Sequence, residues 1–263
     1  FAFFNIIFFS DFFLSLWTSI FISPFKYFAV FDFLLFIPFF CFPFSEIYAQ
    51  KNPINTDRPD QGDGVFTIPK KSWQVENGVI FAKQTFINNL LLRYGITNST
   101  EIRLVIDAGK EGSSSGFKPI SFSVKQKLIS QKNILPAISF VGYISNEKWA
   151  SKNFKGEEVQ YELKLAMENE ISNKFSLGYN AGASDQFKSL NITAGLSYAA
   201  SEKTSTYIEY FSSFTKVVDE HNMDIGFLYL LKPQLQFDAS VGTAIFSKAN
   251  RFYSTIDISY WFK

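Results

Sequence analysis

The stretch VQYELKLAME, residues 159–168, decides the fold class of this chain. Its odd-numbered residues, from Val159 to Met167, are all apolar, whereas the positions between them include Glu162, Lys164 and Glu168. A repeat of two residues places successive side chains on opposite faces of a β-strand. The pattern therefore predicts a strand with one apolar face and one charged face.

The same alternation recurs from Trp73 to Phe262, and no convincing 3.6-residue repeat competes with it. The alternating segments are about 9 to 13 residues long and are separated by turn residues. An even number of such strands permits closed, antiparallel, up-and-down pairing. We predict about twelve strands, near residues 73–84, 87–95, 99–109, 117–130, 134–146, 157–172, 174–184, 189–201, 203–214, 221–232, 234–246 and 252–262.

Strand length separates a membrane barrel from a soluble β-sandwich or lipocalin-like barrel. Soluble strands are mostly shorter, whereas strands of about 9 to 11 residues match a tilted bilayer crossing. Charges on the polar faces could not be buried unpaired in a protein core. Tight connections such as 95–98 alternate with longer ones such as 146–156, as in outer-membrane barrels. We therefore expect an all-β, antiparallel up-and-down transmembrane barrel of about 12 strands over residues 73–263.

The first fifty residues differ in composition from the rest, because they are rich in Phe and carry few charges. Residues 1–25 form a low-complexity apolar tract. From Lys26 onward, a basic residue, an apolar run and a small-residue site predict a Gram-negative signal peptide at about residues 26–50. The alternative is that this region forms one or two membrane helices that are retained. Asp11 and Asp32 disfavour it, because unpaired charges are costly in lipid.

The overall composition disfavours several classes of function. The net charge is +1, from 25 basic and 24 acidic residues, so nucleic acid is not an expected partner. With one cysteine and one histidine, no disulfide, metal site or cofactor is expected. His221 beside Ser212 or Ser213 is the only conceivable nucleophile pair, and nothing else supports catalysis, so we do not expect an enzyme.

If the apolar faces meet outer-membrane lipid, the charged faces line the lumen. The candidates for lining the lumen and setting solute selectivity are charged residues of the predicted strands. A purely structural role is the alternative, in which neighbouring charges pair and brace the wall. These candidates are Glu76, Arg93, Glu101, Arg103, Lys125, Glu162, Lys164, Glu209 and Asp238.

The stretch NTDRPDQGDG, residues 55–64, lies in a periplasmic lead-in segment, residues 51–72, between the export signal and the first strand. Its aspartates recur every third residue, a spacing that superficially resembles a calcium loop. A calcium loop needs acidic groups at alternate positions and a distant glutamate, so the match is poor. We expect it to fold back onto the charged lumen as an N-terminal latch formed by Asp57, Arg58 and Asp60.

Several motifs resemble one known family. The run Thr56–Asp60, then Ile68–Lys71 and Trp73–Glu76, is similar to the outer-membrane transporter family named for the meta-pathway of phenol degradation. Leu92–Gly95 with Glu101–Arg103, and Leu235–Asp238, extend the resemblance to the C-terminus. The resemblance implies an outer-membrane barrel. Lys71 occupies a turn position where the family usually has glycine, so that turn could differ in shape.

Two functions remain open at this stage. One is a channel or transporter for small, hydrophobic or aromatic solutes; the other is a structural or ligand-binding barrel with a sealed lumen. The expected partners are outer-membrane lipid, a small-molecule solute and the outer-membrane insertion machinery. The last is suggested by the terminal aromatic run Tyr260–Phe262, which resembles an insertion signal, although a lysine follows it.

Overall fold

In a computed structural model of the chain, the described residues are 53–57, 61–246 and 251–262. The tract and signal peptide expected in residues 1–50 lie outside them, as do the latch residues Arg58 and Asp60. None of the helices in the described residues is long and apolar enough to cross a membrane.

Strands account for most of the described residues, and their bounds follow the alternating segments closely. The strands are β1 (Trp73–Ala82), β2 (Thr85–Gly95), β3 (Thr100–Glu111), β4 (Ser114–Phe117), β5 (Ser121–Ile129), β6 (Ala137–Asn146), β7 (Val159–Glu170), β8 (Phe175–Ser184), β9 (Ser189–Ala199), β10 (Thr204–Thr215), β11 (Glu220–Lys232), β12 (Leu235–Ile245) and β13 (Phe252–Phe262). Two single-turn 3₁₀ helices, Glu147–Trp149 and Lys152–Phe154, lie between β6 and β7.

The sheet closes on itself. Each strand pairs antiparallel with its neighbours, and β1 pairs with both β2 and β13, so that Trp73 lies opposite Tyr94 on one side and Phe262 on the other. The short strand β4 pairs only with the last four residues of β3, Ala108–Glu111, so twelve strands form the wall. This confirms the predicted antiparallel barrel of about twelve strands.

The two faces of the wall differ as the alternation predicts. Leu163 and Leu165 of β7 are exposed on the outer face, whereas Glu76 and Arg93 on the inner face have no exposed surface. We call the rim at the start of β1 the lower rim and the opposite one the upper rim. Lower-rim turns are mostly shorter than upper-rim loops, which is the periplasmic and extracellular arrangement of outer-membrane barrels.

The wall departs from the prediction between β3 and β5. The sequence indicates a loop over 109–116, but β3 extends to Glu111 and forms a hairpin with β4, in which Phe117 lies opposite Ala108. Gly112, with a φ of 60°, permits the tight turn. The Lys118 N–H still donates to the Asp107 carbonyl at 2.8 Å. Residues 119–120 then leave the pairing before β5 starts, because Pro119 has no N–H to donate to the ladder.

The turn before β1 has the shape that a glycine would favour. Lys71 has a φ of 64°, and the Ser72 N–H donates to the Pro69 carbonyl at 3.1 Å. A positive φ at this position defines a type II turn. The lysine that replaces the family's usual glycine therefore adopts the left-handed conformation instead of changing the turn.

We expect Lys71→Gly to stabilise the barrel by about 0.5 kcal/mol, because relief of left-handed strain exceeds the added flexibility of the unfolded chain. Urea unfolding in detergent micelles would measure this difference. Lys70→Gly is the matched control, since Lys70 has no positive φ, and it should be neutral or destabilising. Equal effects of the two substitutions would contradict this account of the turn.

Candidate functional site

The lead-in segment, here residues 53–72 apart from 58–60, runs inside the lower half of the barrel. Its first residues are held near the β11–β12 turn, where the Ile54 N–H donates to the Pro233 carbonyl at 2.7 Å. Gln236 of β12 donates from its side-chain amide to the Thr56 hydroxyl at 2.7 Å. The segment thus enters the lumen at the lower rim.

Asp57 lies close to three cations of the wall. Its carboxylate lies 2.5 Å from Lys125 Nζ, 2.8 Å from Arg103 Nη1 and 3.5 Å from Arg93 Nη1. Its backbone N–H donates to the Glu76 carboxylate at 3.1 Å. One aspartate of the segment therefore joins cations from β2, β3 and β5.

Asp63, six residues after Asp57, forms a second cluster of ion pairs and hydrogen bonds with the wall. Its carboxylate accepts from Arg103 Nη1 at 2.7 Å, from Lys164 Nζ at 2.9 Å and from the Tyr143 hydroxyl at 2.8 Å. Arg103 therefore bridges Asp57 and Asp63 with the same nitrogen. The segment is tied by charge to the walls on both sides of β5.

Residues 61–63 turn against the opposite wall. The Glu209 carboxylate of β10 accepts the backbone N–H groups of Gln61 and Gly62 at 2.8 and 3.1 Å. Asn180 of β8 accepts the Asp63 N–H at 2.6 Å and donates to its carbonyl at 3.0 Å. Backbone groups that a barrel interior would otherwise leave unpaired are satisfied in this way.

The segment then returns along the other side of the lumen. Val65 is buried beside Ala137 and Ala166, and its carbonyl accepts from the Ser139 hydroxyl at 2.6 Å. Further along, the Ile68 N–H donates to the Glu101 carboxylate at 2.8 Å. This leg therefore lies against β3, β6 and β7.

Arg93 organises the wall beneath this leg. Its guanidinium donates to Glu101 through Nε and Nη2, each at 3.0 Å, and to Glu76 through Nη1 at 2.8 Å. Nη2 also donates to the Phe66 carbonyl at 3.1 Å. Asp57 completes the shell, so the buried guanidinium is compensated by three carboxylates.

The structure brings most of the predicted lumen residues onto the lead-in segment. Glu162 bonds to Lys164 at 3.1 Å instead, and Asp238 accepts from Gln236, which holds Thr56. The residues in direct contact with the segment are Glu76, Arg93, Glu101, Arg103, Lys125, Lys164 and Glu209. Their role in selectivity stays a prediction, and the latch residues Arg58 and Asp60 are not among the described residues.

The predicted site residues leave out Asp63 and several neutral wall residues that contact the segment, among them Tyr143, Asn180, Ser139 and Gln236. Asp63 shares the three-residue spacing of Asp57, which was a usable signal. Tyr143 and Asn180 are neutral inward-facing residues, and nothing in their local sequence distinguishes them from other polar strand positions. Metal ligands were not expected, and no group of three candidate ligands occurs in the described part of the chain.

The only histidine lies away from this network. His221 Nδ1 is 2.6 Å from the Tyr210 hydroxyl, and its ring packs edge-on against Phe214. Ser212 donates to a backbone carbonyl of β9, and Ser213 bonds to Ser189. These contacts do not form the nucleophile pair that the sequence alone allowed.

The surroundings of the two aspartates shift their acidities. Burial alone would raise the pKa of Asp57, but the charges of Arg93, Lys125 and Arg103 outweigh it and hold the pKa at about 2. Burial likewise opposes ionisation of Asp63, yet Lys164 and Arg103 keep its pKa well below the usual value. Both groups are therefore ionised at neutral pH.

Comparison with solved structures places this architecture among porins and channels. The COG4313 outer-membrane channel from Pseudomonas putida F1 matches with a TM-score of 0.59 at 11% identity, over 78% of this chain and 100% of that one. The KdgM porin matches with 0.56 at 10% identity, over 71% and 98%. The NanC porin matches with 0.53 at 7% identity, over 72% and 98%. A search of curated proteins found no match.

A closed barrel with an apolar outer band and a charged interior defines the protein as an outer-membrane β-barrel of the cell envelope. The family model described as "Putative MetA-pathway of phenol degradation" matches residues 56–262, so the chain belongs to this family. The resemblance noted from the sequence motifs is thereby confirmed.

Acid should weaken the attachment of the lead-in segment through Asp57. Its pKa is lower in the folded protein than its ordinary value of 3.8, so its stabilisation is complete above about pH 4 and is lost as the pH falls toward 2. We expect a loss of about 2 kcal/mol in the free energy of unfolding over this range. Urea unfolding in micelles at pH 2 to 6 would measure it, and Asp57→Asn should flatten the curve. Parallel curves would contradict this role.

Gly95 should be intolerant of any side chain. A Cβ at this position would lie 2.1 Å from the Pro69 carbonyl oxygen, where the lead-in segment crosses the end of β2. We expect Gly95→Ala to cost about 2 kcal/mol or more, because backbone must move. Limited proteolysis should then cut the segment faster. Gly178→Ala, which meets no atom within 4 Å, is the control. Equal protease resistance would argue against the crossing.

Proposed function

We propose that this protein is an outer-membrane conduit for small solutes and that its lead-in segment closes the lumen at the lower rim. The observation that carries the proposal is that a continuous chain segment, and not the side chains of the wall alone, fills this part of the lumen. A segment joined to the barrel at Trp73 can leave the lumen while the wall remains intact. Release of the segment would open a path between the two rims.

We propose that Asp57 forms the latch together with Arg58 and Asp60, and we add Asp63. The contacts of Asp57 and Asp63 support this, because four cations of the wall bind these two carboxylates. Buried ion pairs gain little net free energy over the hydrated ions, since desolvation offsets the attraction. Water that enters as the segment leaves would rehydrate both partners, so opening costs less than the contacts suggest.

Apolar residues of the inner wall above the segment support the proposal that the solute is hydrophobic or aromatic. Ile87 and Leu91 of β2 are buried and share the inward parity of Arg93. Val105 of β3 lies opposite Leu91 and widens this apolar surface. Polar groups interrupt it at the next inward-facing pair, where Asn89 donates to Asp107. Apolar walls with few polar groups suit apolar ligands. The phenol pathway in the family's description agrees with such a solute.

The remaining wall charges would act on solutes once the segment has moved. Arg93, Arg103 and Lys125 lie together on β2, β3 and β5, whereas Glu209 and Asp238 lie on β10 and β12. Fixed charges along a pore set which ions pass. Lipid, the solute and, from the terminal aromatic run, the insertion machinery are the partners of this proposal.

A sealed structural barrel is the second candidate. It is favoured by the burial of Glu76, Arg93, Glu101 and Lys125, none of which has exposed surface in the closed lumen. A permanent seal of this kind would make the segment part of the fold. It would then unfold only together with the wall.

Conductance distinguishes the two candidates. We expect Asp57→Asn/Asp63→Asn to raise single-channel conductance in planar bilayers, because each change removes a charge that holds the segment. Deletion of residues 53–64 should raise it further. Loss of stability in detergent with no gain of conductance in either variant would overturn the channel and support the sealed barrel.

Solute class needs its own measurement. Leu91→Asn should lower uptake of a radiolabelled neutral aromatic by intact cells that express the chain, with little change in ion conductance, because it removes apolar surface from the inner wall. Leu92→Asn, which alters the lipid-facing side of the same strand, controls for general damage. An equal fall in uptake in both variants, with equal amounts of folded barrel, would argue against an apolar solute surface.

A further inference from the structure

The lead-in segment covers the lower lumen unevenly. Its return leg lies against β3, β6 and β7, and its turn at 61–63 lies higher, against β8 and β10. Below that turn, a cavity of about 280 Å³ opens between β7 and β10 at the lower rim. We call this cavity the exit chamber. Its lining includes Glu168, Glu170, Ser176, Ser197, Ala199 and Ser205.

Small residues extend the exit chamber upward along the wall. Gly178 shares the inward parity of Asn180, and a Cβ built on it would meet no heavy atom within 4 Å. It lies directly opposite Gly195 of β9, and below this pair Ser176 lies opposite Ser197. Two adjacent strands therefore present only glycine and serine to the lumen at this level, which leaves room for a solute.

Residues 61–63 lie above the exit chamber, because Asn180, which binds Asp63, is the next inward-facing residue of β8 after Gly178. We call residues 61–63 the roof. A Cβ on Gly62 would lie 2.9 Å from Glu209 Oε1 and 3.1 Å from Thr193 Oγ1, so the roof packs closely on the wall. Glu209 holds it with two backbone hydrogen bonds, and Asn180 holds the next residue. Hydrogen bonds to a carboxylate are stronger than those between neutral groups.

The chemistry of the exit chamber indicates what it would pass. Hydroxyl groups and bare backbone line it, and Glu168 faces inward with no ion pair among the described residues. Lys174 is at the rim, in the turn before β8. A carboxylate in a narrow polar passage favours neutral and cationic solutes over anions.

We propose that the solute path leaves the barrel through the exit chamber, on the β7–β10 side, and that Glu209 keeps its roof closed. This rests on the proposed conduit function and adds to it the side of the lumen used and the residue that holds the gate. On the opposite side, the segment stays bound to Glu101 and Ser139. Opening then requires movement of the backbone at residues 61–62, which Glu209 holds, while the Asp63 carboxylate stays bound to Arg103 and Lys164.

The gate is tested with three substitutions in the full chain, in planar bilayers. Glu209→Ala removes both bonds to the roof and should raise the open fraction by about tenfold. Glu209→Gln keeps one acceptor oxygen and should give an intermediate value. Asp224→Asn is the matched control, because Asp224 lies opposite Glu209 but bonds to Tyr253 and not to the segment. It should not raise the open fraction, because both bonds from Glu209 to the roof remain.

The path is tested by filling the exit chamber after folding. In a Cys41→Ala, Glu209→Ala background, Gly178→Cys is treated with a bulky methanethiosulfonate reagent, which should abolish most of the added conductance. Lys188→Cys, exposed in the turn between β8 and β9 and outside the exit chamber, should react without this loss. Heat-modifiable mobility in electrophoresis shows that each barrel is folded, and labelling after folding avoids any defect caused by a large residue.

The outcomes separate the two proposals. In one outcome the deletion of residues 53–64 conducts, but Glu209→Ala does not, or labelling of Gly178→Cys leaves the conductance unchanged. The exit chamber is then not the path, and this inference fails while the conduit proposal stands. If neither the deletion nor any other variant conducts, the conduit itself is wrong. Conductance raised equally by Glu209→Ala and Asp224→Asn would also overturn the role of Glu209 as the gate.

Discussion

Arg93 and Arg103 lie directly opposite each other on β2 and β3, and both side chains point into the lumen. Like charges in opposing positions on one face of a sheet repel, and burial strengthens the repulsion. Asp57 lies between them, with one carboxylate oxygen near both guanidinium groups. The wall carboxylates Glu76 and Glu101 pair with Arg93, whereas the ion pairs of Arg103 are made to Asp57 and Asp63 of the segment. The wall therefore contains a buried cation whose counter-ions come from the lead-in segment.

This requirement explains why a polar chain segment lies inside the barrel. Once Asp57 is drawn in, the backbone on either side of it also leaves water, and its N–H and C=O groups need partners. Glu209, Asn180, Ser139 and Glu101 supply them from four different strands. Most of the inward-facing charges therefore have partners in the segment, in addition to the ion pairs that they make with one another.

The same contacts make the lower lumen asymmetric. Most of the large charged residues that meet the segment lie on β1 to β7. Below Asn180 of β8 and Thr193 of β9, only glycine, serine and alanine face the lumen on these two strands. Backbone hydrogen bonds between strands hold the wall of a barrel together. Small residues on its inner face therefore destabilise it less than the loss of a side chain destabilises a packed core. A barrel can therefore hold a segment on one side and leave room on the other.

The sequence alone determined the strands and their faces. For β7 it predicted residues 157–172 and the structure has Val159–Glu170, because alternation is local and a lipid-facing strand must be apolar at every second position. It also indicated which charges face the lumen. The β3–β4 hairpin was missed because glycine and serine are equally typical of loops.

Only the tertiary structure decided which of these charges meet. Asn180 binds Asp63 across 117 residues of sequence, and Tyr143 does so across 80. Such pairs depend on barrel closure, on strand register and on the course of a segment that has no repeating pattern of its own. Local sequence determines on which face a side chain lies, but its partner is determined by the wall that curves around to meet it.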